Sequence, residues 1–575
     1  MQPATRRSSG AAPMNAAAAG TSTPRRQVGS SSTLTPTVFA ALCAVAVLFP
    51  IAGVLASFAD LRASFDTLVH LASTVIPAAA AETAALVLLV AAGVIVLGST
   101  SAWLVAAHEF PGRRLFEWAL LVPLAMPAYI VAYAYTDFLQ YSGSLQSALR
   151  VAFGWQRGDY WFPEIRSIPG AAFVFTVTLY PYVYLLARTA FLARTEAMAD
   201  AARSLGYSRL RGWLHVNLPM ARPAVAAGAA LALMETVADY GAAAYFGLQT
   251  FTTAIYRAWF SLGDRMAASQ LASVLLAVVL VLMAFELRAR GRARYVAAPN
   301  SARPAQRLQL RGGRGLAAAL ACCLPLAVGF VIPTAILVAL ALPALPGVDV
   351  GRYLLWVGHS VVLGAAAALV AVAIAIALAY AVRLTPGGAA ARVVAIAARL
   401  MNLGYAVPGI VIAVGLLLPL AAFDNALDAW MKARFGFGTG LLLTGSVAAL
   451  LYAYVVRYFA VAFQPVEAGL ARITAAMDAS ARSLGASPRE VFARVHLPLL
   501  APSLFAAALL VFVDVMKELP ATLVLRPFNF DTLAVIAYQF AADERLGEAA
   551  IPSLTIVAVG VLPVILLSRA IGRSS

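Results

Sequence analysis

Four carboxylates sit in apolar stretches of the chain, where a carboxylate is expensive. Glu235 and Asp239 interrupt one such stretch, and Asp514 and Glu518 interrupt another. An ionisable group at membrane depth costs roughly several kcal/mol and is read first as functional. Each pair is spaced i, i+4, so on a helix its members share a face. Four carboxylates converging from two segments would suit a hard, oxygen-preferring trivalent cation. We take Glu235, Asp239, Asp514 and Glu518 as candidate lining of a substrate pathway, with no firm metal site. Each has a structural alternative as well: Lys517 stands three residues from Asp514 and can pair with it, and Asp239 can cap an unwound turn before Gly241. Tyr180, Tyr182, Tyr452 and Tyr454 add phenol oxygens, which inside membranes more often bond a neighbouring helix than a metal.

Chemistry of other kinds finds no residues to perform it. A P-loop needs Gly-Lys-Ser/Thr so that the lysine reaches phosphate. The only lysines, Lys432 and Lys517, are followed by Ala433 and Glu518. HExxH, paired Cys-x-x-Cys and Gly-x-Ser-x-Gly are all absent, and Cys43, Cys322 and Cys323 lie in apolar stretches. We therefore expect no catalytic residue and no cofactor bound by the chain. Energy must come from a separate subunit or from an ion gradient.

The elements that position the acids follow from composition. Of 575 residues 62% are hydrophobic and 12% charged, with mean hydropathy +0.84. Soluble proteins hold about 25% charged residues, so soluble, disordered and fibrous classes are excluded. The net charge of +16 is almost all arginine, in short runs between apolar stretches. That is the pattern of cytoplasmic loops under the positive-inside bias, and it argues against nucleic acid as a partner. Apolar runs long enough to span a bilayer occur near 34–57, 83–107, 115–138, 168–193, 222–247, 268–287, 315–343, 355–382, 392–419, 440–463, 502–525 and 551–571. Arginines crowd alternate connections, at Arg113–Arg114, Arg203–Arg211, 288–314, Arg383–Arg392 and 472–494. Acids such as Asp159, Glu164, Asp424, Asp428 and Asp543 fall in the others. Both termini are therefore expected in the cytoplasm, with residues 1–33 a disordered tail.

The segment 288–314 carries eight arginines and no acid, and divides the chain into 34–287 and 315–573. Met198–Gly206 lines up with Met477–Gly485 at an offset of 279, and the same offset carries Leu218-Pro219 onto Leu497-Pro498. It carries Glu235 onto Asp514 and Asp239 onto Glu518 as well. Leu179-Tyr-x-Tyr-Val183 recurs at 451–455, and Met126-Pro127 resembles Val407-Pro408. The expected fold is all-α and polytopic, with about twelve transmembrane helices in two six-helix parallel repeats, near 82–287 and 355–570. Pro123, Pro127 and Pro408 are expected to bend the third and ninth spans.

The repeated loop reads Asp200-Ala201-Ala202-Arg203-Ser204-Leu205-Gly206 in the first half and Ala479-Ser480-Ala481-Arg482-Ser483-Leu484-Gly485 in the second. Nine residues and Val-x-Leu-Pro follow, ending at Leu218-Pro219 and Leu497-Pro498. Small residues give a thin, approachable helix face, glycine ends the helix, and Leu-Pro opens the next span. This pattern resembles the EAA loop of binding-protein-dependent ABC importer permeases. The usual leading glutamate is Asp200 in one copy and Ala479 in the other. The resemblance implies that each loop is a coupling helix docked on an ATPase subunit, through Asp200, Ala201, Ala202, Arg203, Leu205, Gly206, Leu218 and Pro219, and through Ala479, Ser480, Ala481, Arg482, Leu484, Gly485, Leu497 and Pro498. A plain amphipathic loop on the membrane surface would explain the arginines but not the repetition.

Thr236–Gly241 with Phe251–Trp259, and Lys517–Leu523 with Arg526–Leu533, are similar to ferric iron permeases of the fused two-domain kind. That likeness implies an inner-membrane permease receiving Fe3+ from a periplasmic binding protein and working with two copies of a cytoplasmic ATP-binding subunit, which hydrolyses the ATP. Thiamine and polyamine permeases carry similar loops and stay open as alternatives. So do an ion-coupled secondary carrier and a membrane assembly protein that docks an ATPase.

Overall fold

A computed structural model describes residues 30–156, 158–192, 218–294, 307–385 and 387–572, together with Ser204, residues 206–208, Arg211 and His215. Among the described residues eleven helices are long and apolar enough to cross a membrane. The number is twelve if Arg113–Ala125 and Ala128–Phe153, bent by 89°, form one crossing. We label the crossings α1 (Ser30–Leu55), α2 (Ile76–Ala107), α3 (Ala128–Leu139), α4 (Ile168–Leu192), α5 (Leu218–Ala238) and α6 (Arg265–Arg294) in the first half. The second half holds α7 (Gly313–Gly347), α8 (Val350–Leu384), α9 (Gly409–Phe435), α10 (Val447–Ala471), α11 (Leu497–Met516) and α12 (Leu546–Gly572).

The expected spans recur in number but not in outline, because four of them are broken. Pro127 and Pro408 do more than bend their segments. Each is the residue before a new helix, with φ −57° and ψ 142° or 141°, preceded by a 3-10 turn at Val122–Ala125 or Gly404–Ala406. Proline has no N–H to continue a helix and opens one readily. The stretch expected at 392–419 is therefore helix Gly388–Leu403, a break, and α9. The stretches expected at 222–247 and 502–525 also stop midway. α5 ends at Ala238 and the chain resumes as Gly241–Tyr245; α11 ends at Met516 and the chain resumes as Pro520–Leu525.

Helices α4 and α10 share bounds at an offset of 279, and so do the starts of α5 and α11. The Leu-Tyr-x-Tyr-Val recurrence, at an offset of 272, is thus out of register with the helices that carry it: Phe175, not Tyr182, stands where the second half has Tyr454. The segment 288–314 is structured at both ends. α6 runs on to Arg294, and Leu308–Gln309 pairs in parallel with His108–Glu109, with Leu310 N–H donating to Glu109 O at 2.9 Å.

Packing does not follow the halves. One buried cluster joins Val47 of α1 and Leu275 of α6 to Leu363, Ile412, Phe459 and Val511 of α8–α11. The other joins Leu86, Ile130, Phe175 and Ala229 of α2–α5 to Leu337 of α7 and Ile556 of α12. Each half thus lends its first and last spans to the other's core. Small residues permit the crossing: a Cβ added to Gly53 of α1 would lie 1.9 Å from Gly415 O of α9. Tyr452 of α10 donates to Ala46 O of α1, and Tyr135 of α3 donates to Val328 O of α7 at 2.5 Å.

Candidate substrate cavity and coupling loops

The two mid-membrane breaks face each other across a cavity of about 850 Å3, counted with its open mouth. Glu235, Asp239, Asp514 and Glu518 all line it, so the structure brings the four acids together from both halves. Each also has a protein partner. A helix that begins inside the bundle leaves its first N–H groups without intrahelical acceptors, and the break acids supply them. Asp239 Oδ1 accepts from Ala242 N–H at 2.8 Å and from Ala243 N–H at 3.4 Å. Glu518 accepts from Ala521 N–H at 2.9 Å, Thr522 N–H at 3.0 Å and the Thr522 hydroxyl at 2.6 Å. These are the same job at matching positions. The other two acids differ: Glu235 accepts from the Tyr405 hydroxyl at 3.0 Å, and Asp514 pairs with Lys517 at 2.9 Å.

Three cavity residues of the second half, Tyr405, Arg457 and Tyr458, were not foreseen. Arg457 of α10 is 9% exposed and lies 3.8 Å from Glu518 Oε1, while Tyr405 reaches across to Glu235. The signal for Arg457 was present in the sequence, a lone arginine inside the apolar run Leu450–Phe463. Gly409 makes room for it. A Cβ there would lie 2.4 Å from Arg457 Nη1 and 2.6 Å from Glu518 Oε1, whereas the aligned residue in the first half is Ala128. Neither Arg457 Nη1 nor the Tyr129 hydroxyl has a hydrogen-bond partner. Of the four tyrosines considered as ligands, Tyr182 lines the cavity, while Tyr452 and Tyr454 spend their hydroxyls on Ala46 O and Thr522. Among the described residues no three of His, Cys, Asp and Glu stand together as a metal-ligand set.

The second repeated loop forms helix Ala475–Ser483. Met477, Ala479, Ser480, Arg482 and Leu484 are exposed, Leu484 at 88% and Met477 at 44%, so the loop offers an open face of small residues with two large apolar side chains. It ends in a Schellman turn, with Ala486 N–H bonded to Ala481 O and Gly485 at φ +85°. Leu497 and Pro498 open α11 as expected. In the first loop Asp200, Ala201, Ala202, Arg203 and Leu205 lie outside the described residues. Gly206 is described, at φ +73°, and Leu218-Pro219 opens α5.

The model of the binding-protein-dependent transport system inner membrane component matches this chain twice, over residues 94–290 and 387–574. The chain belongs to that family. It is a fused, two-domain permease of an ABC transport system, multi-pass in the inner membrane, and the two matches leave out α1, α7 and α8. An Fe(3+)-transport system permease protein of Haemophilus influenzae is 24% identical over 85% of this chain and 89% of its own length. A probable ABC transporter permease protein of Sinorhizobium fredii is 26% identical over 81% and 82%. A molybdenum transport system permease protein of Escherichia coli is 26% identical over 31% of this chain and 78% of its own length. Members of this family serve systems with a substrate-binding protein and an ATPase, and two copies of the family domain in one chain supply both halves of such a permease.

Proposed function

We propose that this permease carries Fe3+ from a periplasmic binding protein into the cytoplasm, with its two repeated loops docked on two copies of an ATPase subunit and both termini in the cytoplasm. The observation that carries the reading is the convergence of four carboxylates from both halves on one cavity between the mid-membrane breaks. Every acid there is held by a donor that an incoming cation can displace or share, which suits a route that must release its ion. The whole-chain likeness to a relative named for Fe(3+) transport supports the same substrate. A second reading, an oxyanion, is favoured by Arg457 Nη1 and the Tyr129 hydroxyl, which have no hydrogen-bond partner, and by the relative named for molybdenum.

The chain reconstituted with its ATPase and binding protein should accumulate 55Fe only with ATP, and excess molybdate, sulfate, thiamine or polyamine should not compete. Competition by an oxyanion would transfer the route to that class. Uptake without ATP that collapses with an uncoupler would make the protein a secondary carrier. For the loops, Gly206→Val and Gly485→Val place a β-branched residue at positive φ, a strain of about 1–2 kcal/mol or more. Each variant should insert normally and lose transport, and normal transport by both would remove the coupling assignment.

A further inference from the structure

The acid that the coupling motif lacks at Ala479 stands one residue earlier, at Asp478, and it points inward. Its Oδ2 accepts from Arg383 Nη2 at 2.6 Å, and its Oδ1 lies 2.6 Å from His496 Nε2. Arg383, next to last in α8, also donates through Nη1 to Ile473 O at 2.9 Å and Leu470 O at 3.2 Å. Those carbonyls lie at and just beyond the end of α10, where a helix leaves acceptors without intrahelical donors. His496 is buried just before α11, with its ring 5.6 Å from that of Tyr380 of α8. One carboxylate in the first turn of the exposed helix thus ties that helix to α8, α10 and α11. α11 carries Asp514 and leads directly into Glu518, and α10 carries Arg457. The first half carries different residues here, of which Ala199 and Asn217 lie outside the described residues. At the aligned positions it carries Ala199 for Asp478, Asn217 for His496 and, counted from the helix end, Ala106 for Arg383.

We propose that Asp478, Arg383 and His496 form a clamp that transmits movement of the second coupling helix to the spans lining the cavity, so that the two ATPase sites act on the permease unequally. The proposal rests on the coupling reading above. Charge-assisted hydrogen bonds with the forked geometry of arginine resist both stretching and rotation. With the clamp intact, the exposed helix cannot shift without pulling three spans. Without it, the Gly485 turn and the chain at Arg472–Thr474 can absorb the motion. These three are positioning residues, since none of them lines the cavity.

The test uses the full complex in proteoliposomes and installs in the second half what the first half carries, by Asp478→Ala, Arg383→Ala and His496→Asn. Three quantities are read: the ATPase subunit retained on purification, the rise in ATP hydrolysis on adding Fe3+-loaded binding protein, and ATP consumed per 55Fe imported. In Asp478→Ala the ATPase subunit stays bound, the rise in hydrolysis disappears, and ATP consumed per ion increases at least about tenfold, with Asp478→Glu restoring most of the loss. His496→Asn keeps a side-chain donor, so it inserts and gives a smaller change of the same sign. An unchanged ratio in Asp478→Ala, a release of the ATPase subunit, or a failure of Asp478→Glu to restore coupling each overturns the clamp. Gly485→Val separates the two readings. If it uncouples and Asp478→Ala does not, the clamp alone is wrong; if neither uncouples, the coupling loop is wrong.

Discussion

At three aligned cavity positions the first half presents Leu124, Thr178 and Ala238, while the second presents Tyr405, Arg457 and Lys517. The backbones around them are near copies: the same proline ahead of α3 and α9, the same break after α5 and α11, the same carboxylate bonded to the N–H groups beyond the break. The difference teaches which features the membrane imposes and which it leaves free. A helix that starts at membrane depth must have its N–H groups satisfied, so Asp239 and Glu518 are both retained as acids. Nothing of that kind constrains the facing side chains, and there both cations have gathered in one half. The first half's Glu235 and Asp239 face the cavity with a hydroxyl and backbone N–H groups as partners. The second half's Asp514 and Glu518 face it already paired with Lys517 and Arg457.

Loss of the break acids tests that contrast most severely. Glu518→Ala removes a cap and strands Arg457, and breaking a buried pair from one side costs about 3–5 kcal/mol. Asp239→Ala removes a cap alone, worth about 0.5–2 kcal/mol. Thermal unfolding in detergent should therefore show a clearly larger drop for Glu518→Ala, and equal drops would mean that the Arg457 pair adds nothing. A middle-sized effect is expected at the space made for that pair. Gly409→Ala pushes into Arg457 and Glu518 and should cost about 1–3 kcal/mol, as overpacking does. Ala128→Gly in the other half, where Thr178 also lines the cavity, should cost at most about 1 kcal/mol, the propensity difference at a helix position. Similar costs for the two would erase the asymmetry at this layer. Tyr405→Phe should cost well under the loss of Glu518, removing one hydrogen bond to Glu235 for about 1–2 kcal/mol. If it left stability unchanged while Tyr182→Phe lowered it, the hydroxyl holding Glu235 would be the wrong one.

Much of this contrast was legible in the sequence, and the part that was not has physical causes. Apolar length alone located the crossings, eleven or twelve among the described residues, because a bilayer admits few other ways to bury such stretches. The offset of 279 paired Glu235 with Asp514 and Asp239 with Glu518 ahead of any coordinates. An unwound turn before Gly241 stood among the alternatives for Asp239, whereas the break at 517–519 was hidden because hydropathy stays high on both sides of it. The reciprocal exchange of α1, α6, α7 and α12 was hidden too, since chain order says nothing about which core a span joins. Tyr405 carried no local signal. Its role comes from a partner 170 residues away, whereas Asp478 lies one residue outside the repeated motif.

The proposed route takes substrate between the acids of the two halves. The most direct measurement is 55Fe uptake by Glu235→Gln/Asp514→Asn, made alongside ATP hydrolysis by the same reconstituted complex. Neither acid caps a helix, so the breaks keep their hydrogen bonds in this variant. Uptake should fall at least about tenfold, the scale of one charge interaction worth about 1.4 kcal/mol, while the ATPase subunit stays bound and hydrolysis continues. Iron uptake at the unmodified rate would contradict the account and leave the four carboxylates as structural residues of the breaks.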